Sequence, residues 1–113
     1  MDRKIGAWLE DISRSIDEIF DFLPEKRDFF EYQKDLKTKK AVERNIEIIG
    51  EAVNRISKYN KADFEIKNVK KIIGTRNRIV HDYENISDEV IWTIIIKELP
   101  QLKLEVVEYL KRI

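Results

Sequence analysis

The chain has 113 residues, three glycines, two prolines and no cysteine, and its 22 Lys and Arg balance 22 Asp and Glu. This length suits one domain with a single core, and the lack of cysteine excludes a disulfide framework and a thiolate metal site. The charge balance excludes the bulk positive field of a general nucleic-acid binder, so any nucleic-acid contact has to be local.

Scarce glycine and proline argue against hairpin-rich β structure, which needs turn residues at short intervals. No apolar run follows the N-terminal charges Arg3 and Lys4, and the longest one, from Val90 to Ile96, is broken by Thr93. The expectation is no signal peptide, no membrane span and a cytoplasmic location.

Ile5, Trp8, Leu9, Ile12, Ile16, Ile19, Phe20 and Leu23 recur at i, i+3, i+4 spacing, which predicts a first helix with one buried stripe, ended by Pro24. A short second helix is expected from Glu25 to about Leu36, with Pro24 in its first turn and Phe29, Phe30 and Tyr32 offering aromatic packing. Thr38 is a plausible N-cap for a third helix running to about Tyr59, with Val42, Asn45, Ile46, Ile49, Ala52, Val53 and Ile56 along its stripe. Asn45 in that stripe needs a hydrogen-bond partner, and Gly50 costs a helix interior roughly 1 kcal/mol relative to Ala. A satisfied core amide and a close helix crossing account for the two; an interface role is the alternative.

After a turn at Asn60-Lys61-Ala62, Asp63 can cap a fourth helix with Val69, Ile72, Ile73, Ile79, Val80 and Tyr83 on its apolar face, ending near Tyr83-Glu84-Asn85. Ser87 reads as the N-cap of a fifth helix, stapled by Ile86 and Ile91 and favoured by Asp88 and Glu89 in the first turn. Its stretch from Val90 to Ile96 is apolar nearly all round, which implies burial on several sides or against a second chain. Pro100 should kink or restart that helix before Leu102, Val106 and Leu110 continue the stripe. The expected fold is all-α: residues 1–113 form one domain, an up-and-down bundle of four long helices plus one short helix.

Chemistry concentrates between Arg76 and Tyr83. On a helical wheel Arg76 falls within about 60° of Val69, Ile73 and Val80, inside the apolar stripe. A buried guanidinium must meet a carboxylate or face a cleft where an anion arrives; a structural ion pair is the plain alternative to a functional role. From Glu65 through His81 the charged residues are Lys67, Lys70, Lys71, Arg76 and Arg78 against Glu65 alone, which favours an anionic ligand. His81 is the sole histidine, and imidazole, with an unperturbed pKa of about 6.5, suits proton transfer near neutrality. His81 lies about 140° from Arg76 on the wheel, beside Lys70, Gly74 and Asn77. One site containing both therefore requires the helix to unwind near its end, or two copies to meet, as in a symmetric dimer.

One histidine and no cysteine disfavour a zinc site, and no phosphate loop or nucleophile elbow occurs. Metal-free RNA cleavage needs only a base for the ribose 2′-hydroxyl and a cation for the phosphate, which His81 and Arg76 can supply without a cofactor.

The run Arg76-Asn77-Arg78-Ile79-Val80-His81 is similar to the signature of HEPN ribonucleases, and with Tyr83 it resembles the form found in HepT toxins, partners of MntA minimal nucleotidyltransferases. The segments Val42 to Ala52 and Trp92 to Pro100 resemble blocks of the same family, so the likeness covers nearly the whole chain. It implies a HEPN-like bundle forming a homodimer, with a composite RNA-cleaving site in which Arg76 and His81 are catalytic and Asn77 supports them. Lys70 and Arg78 would bind substrate. It further implies that Tyr83 is adenylylated by a cognate MntA-like nucleotidyltransferase antitoxin, adding negative charge and bulk beside the catalytic pair. Two rival readings are a non-catalytic nucleotide-binding or substrate-presenting companion of a nucleotidyltransferase, and a purely structural bundle.

Overall fold

A computed structural model describes residues 3–59 and 65–112. The helices are α1 (Arg3–Phe22), α2 (Phe29–Lys34), α3 (Leu36–Tyr59), α4 (Val69–His81), α5 (Asp88–Thr93) and α6 (Leu99–Lys111), and no strand occurs among the described residues. A 3-10 turn, Tyr83–Asn85, follows α4, and a π-helical segment, Ile94–Glu98, joins α5 to α6 in one rod. Four long helical elements and the short α2 thus make up the all-α bundle that the periodicity implies. The proposed turn at Asn60-Lys61-Ala62 and the cap at Asp63 lie outside the described residues.

Helix α3 is the spine, packing on α1 along one side and on α4 along the other, while α6 closes on α1. Ile5, Leu9, Ile12, Ile16 and Ile19 of α1 are buried, as are Val42, Ile46, Ile49, Val53 and Ile56 of α3. Asn45 sits buried in that stripe with its amide donating to the Ala41 carbonyl at 3.3 Å, so it is a satisfied core amide.

Three helix starts differ from the sequence expectation. The second helix begins at Phe29, because the Asp28 carboxylate accepts from the backbone N–H groups of Phe30 and Glu31 and caps it there. Pro24 stays in the connection, where its carbonyl and that of Leu23 accept from the Arg27 guanidinium. Thr38 is not a cap: α3 already starts at Leu36, and the Asp35 carboxylate accepts both the Thr38 N–H at 3.1 Å and its hydroxyl at 2.6 Å. The fourth helix starts at Val69, after Asn68 in the left-handed conformation with φ 60°, a backbone region that asparagine tolerates well.

Ser87 caps α5 as expected, accepting from the Val90 N–H. The apolar stretch that follows is covered mostly from within: Ile91, Ile94 and Ile95 are buried, and Trp92 packs 5.2 Å from Tyr32 and 6.0 Å from Phe29. The short α2 therefore caps the rod with aromatic rings. Ahead of Pro100 the rod widens, the Leu99 N–H bonding five residues back to the Ile94 carbonyl. Proline cannot donate and crowds the preceding turn, and a π turn is a known way for a helix to absorb such a local mismatch.

Candidate active site on the fourth helix

Helix α4 is held at its start and at its middle. At its start, the buried Glu98 carboxylate accepts from the Asn68 amide at 2.5 Å and from Lys71 at 3.3 Å. Ile72, Thr75 and Ile79 are its buried residues, and Thr75 returns its hydroxyl to the Lys71 carbonyl. In the middle α4 crosses α3 at Gly50, where an added Cβ would stand 2.3 Å from the Arg76 Cβ and 2.7 Å from its Cγ. Gly50 is thus the close crossing inferred from the sequence, and the residue laid across it is Arg76.

The Arg76 guanidinium makes an ion pair with Glu51 at 3.0 Å and donates to the Asn77 side-chain oxygen at 2.9 Å, while its buried Nε has no hydrogen-bond partner among the described residues. Its side chain keeps one quarter of its surface exposed, on a shallow cleft of about 290 Å³ that is also lined by Trp8, Arg44, Glu47, Arg55 and Val80. Arg76 meets a carboxylate and faces a cleft at once.

His81 is the last residue of α4, exposed, and makes no hydrogen bond or ion pair among the described residues. The helix is unbroken up to it, and the Asp82 N–H still bonds the Arg78 carbonyl at 2.9 Å. The separation of about 140° between Arg76 and His81 is therefore kept, and His81 does not line the Arg76 cleft. One chain does not bring the pair together. Lys70, Gly74, Asn77 and His81 instead share the opposite, exposed face of α4, flanked by Arg78. Among the described residues neither Lys70 nor Arg78 is engaged by an acid, and nothing lies within 4 Å of where a Gly74 Cβ would stand. Asn77 is the link between the two faces.

Tyr83 corrects the sequence reading. The helix stops at His81, so Tyr83 stands on the 3-10 turn, 46% exposed, rather than on an apolar face; Val80 is also exposed. The Tyr83 hydroxyl donates to Glu43 of α3 at 3.0 Å, and Lys40 stands 6.0 Å from its ring centroid. Glu43 is buried, which pushes its carboxyl up, with the Tyr83 hydroxyl, Lys39 and Lys40 opposing and Asp88 reinforcing. The bond to Glu43 in turn raises the Tyr83 phenol above its ordinary value. Behind them the buried Tyr32 hydroxyl has no hydrogen-bond partner among the described residues, and burial, followed by the charge of Glu43, pushes it up as well.

Glu43 and Glu51 are the two residues that sequence reasoning missed. The signal was available for Glu43, which lies about 20° from Gly50 on the wheel of α3 and so must face the same neighbouring helix.

Residues 12–109 match the family described as Ribonuclease HepT-like. The chain belongs to the HepT-like ribonuclease family. It is 35% identical to a Putative RNase of Methanocaldococcus jannaschii over 98% of this chain and 91% of that one. It is 33% identical to the Probable ribonuclease HepT of Thermococcus cleftensis over 91% of this chain and 93% of that one. No solved structure matches. No helix among the described residues is long and apolar enough to cross a membrane. In this HepT-like bundle Arg76 and His81 thus lie on one helix and Tyr83 on the turn after it, with arginine fixed, histidine exposed and tyrosine tethered.

Proposed function

We propose that this HepT-like chain is the toxin ribonuclease of a toxin-antitoxin pair in the cytoplasm. It cleaves RNA without a metal ion at a site shared across a homodimer, and adenylylation of Tyr83 by an MntA-like nucleotidyltransferase antitoxin neutralises it. In this reading His81 takes the 2′-hydroxyl proton as the oxygen attacks the adjacent phosphorus, and Arg76 stabilises the charge gathering on the phosphate. A dimer supplies a second copy of each group, so one imidazole acts as base and the other protonates the leaving 5′-oxygen. Asn77 holds the guanidinium in place, and Lys70 and Arg78 attract the flanking backbone, since neither is engaged by an acid among the described residues.

The observation that carries the reading is the unbroken α4, which keeps an anchored Arg76 and an unengaged His81 on different faces. Of the two ways to unite them, unwinding and pairing of copies, pairing is the one consistent with an intact helix. The Arg76–Glu51 ion pair favours the purely structural bundle as second reading, because it already gives the arginine a structural partner.

The test is cleavage of end-labelled RNA in EDTA by protein shown by intact mass to be unmodified, with Arg76→Ala and His81→Ala beside it. Cleavage by the wild type alone, leaving 2′,3′-cyclic phosphate ends, is expected. Absence of wild-type cleavage overturns the nuclease reading in favour of a non-catalytic one.

A further inference from the structure

Resting on the reading of Tyr83 as the modified residue, we propose that Glu43 is the proton acceptor for that modification, taking the phenolic proton as Tyr83 Oη attacks the α-phosphorus of a nucleoside triphosphate. The Oη–phosphorus bond forms, the bond from phosphorus to the pyrophosphate oxygen breaks with its electron pair leaving on pyrophosphate, and the proton passes to Glu43 Oε1.

The geometry is that of a nucleophile backed by a base. Tyr83 is 46% exposed while Glu43 is 5% exposed, so a bulky donor can approach the phenol from solvent with the acceptor already seated behind it at 3.0 Å. A carboxylate buried this far is unfavourable without compensation. Glu43 makes no ion pair among the described residues, and its hydrogen-bond partner is the Tyr83 hydroxyl. The groups facing it are Lys39 and Lys40 on its own helix, Asp88 on α5, Tyr32 on α2 and Tyr83 itself. Lys39 is engaged by Asp88 at 3.0 Å, which leaves Lys40, beside the Tyr83 ring, to meet the incoming phosphates.

Burial makes Glu43 a stronger base than an exposed carboxylate, and the same hydrogen bond keeps the resting phenol protonated. The proton therefore moves only as the new bond forms. Once esterified, Oη has nothing to donate, and when Glu43 releases the proton to solvent the phosphodiester charge faces a carboxylate. The bond to Glu43 cannot re-form, and the 3-10 turn is pushed off α3.

Two measurements on the full chain separate this proposal from the reading it rests on. In the first, wild type and Glu43→Gln, both checked by thermal melting, are treated with N-acetylimidazole from pH 5 to 9, and O-acetylation of Tyr83 is followed by peptide mass. Tyr59, 47% exposed, is the internal control. Wild-type Tyr83 should outpace Tyr59 and keep its rate to lower pH, and Glu43→Gln should slow Tyr83 by about tenfold or more. Equal Tyr83 rates and pH profiles in the two proteins, or a wild-type Tyr83 no faster than Tyr59, overturn the proposal. In the second, an MntA-type nucleotidyltransferase with ATP and magnesium should adenylylate wild-type Tyr83 at least tenfold faster than the variant. Equal rates overturn the proposal and leave the modification reading intact. No adenylyl mass on the wild type overturns that reading, and the modification role of Glu43 falls with it, while the acetylation result still decides whether Glu43 accepts the Tyr83 proton.

Discussion

Helix α3 grips the functional segment twice along one ridge, and the two grips work by different physics. At Gly50 the stem of Arg76 is pressed onto bare backbone, and Glu51 adds an ion pair on a surface that is still partly wet. Two turns earlier, Glu43 reaches out of the core and holds Tyr83 by a single hydrogen bond, on a turn where the helix has already ended. Arginine is placed by packing and cannot shift without moving a helix. Tyrosine is placed by one bond and can leave at small cost, which would suit the modification proposed for it while its neighbours stay fixed.

The largest expected effect separates chemistry from packing. His81→Ala should lower RNA cleavage by about 10²–10⁴-fold and leave the melting temperature unchanged, because its side chain is exposed and unengaged. Arg76→Ala should abolish cleavage and also lower stability; a variant as stable as wild type in urea would show that the Gly50 grip carries no weight. Next, Gly50→Ala attacks that grip alone. The contacted atoms are at the root of the arginine side chain, so the helices must separate, at a cost of roughly 1–3 kcal/mol in urea unfolding.

The third concerns pH. Glu43 has its folded-state pKa raised above its ordinary 4.5, so the folded chain holds this proton more tightly than the unfolded one. The stability it contributes is complete below the unfolded value and is lost as pH rises through the folded value. Glu43→Gln cannot titrate, so its stability relative to wild type should improve as pH climbs above about 4.5; a pH-independent difference would mean that burial does not perturb the carboxyl. The smallest effect is at Gly74, where a methyl meets open space. Gly74→Ala should stabilise the chain by up to about 1 kcal/mol in dilute solution. If copies meet on this face, the same change should also weaken their association, which sedimentation would detect.

What the sequence made legible follows from how local each signal is. The stripes of α1 and α3, the Ser87 cap and the Gly50 crossing are properties of one helix or one turn, and all are found where periodicity puts them. Starts chosen by a competing carboxylate were misread: Asp35 displaces Thr38 and Asp28 displaces Pro24, because several residues in each stretch can cap and only packing selects one. At the candidate site, the types and spacing of Arg76, Asn77 and His81 were readable. The partner of Arg76 was not, since nothing local ties Glu51 to it, and Glu43 was legible as a residue facing the neighbouring helix but not as the partner of Tyr83.

The wide turn before Pro100 has a consequence for chain length. A π turn stores one residue beyond what an α-helix of the same rise would use, so removing one residue from Ile94–Glu98 would leave Ile91 on one side and Leu102 and Val106 on the other still aimed at the core. That deletion alone would force Pro100 into regular helix, at about 3 kcal/mol; combined with Pro100→Ala it should be nearly neutral. The proline and the surplus residue thus act as one unit, to be removed together or not at all if the bundle is to stay undisturbed.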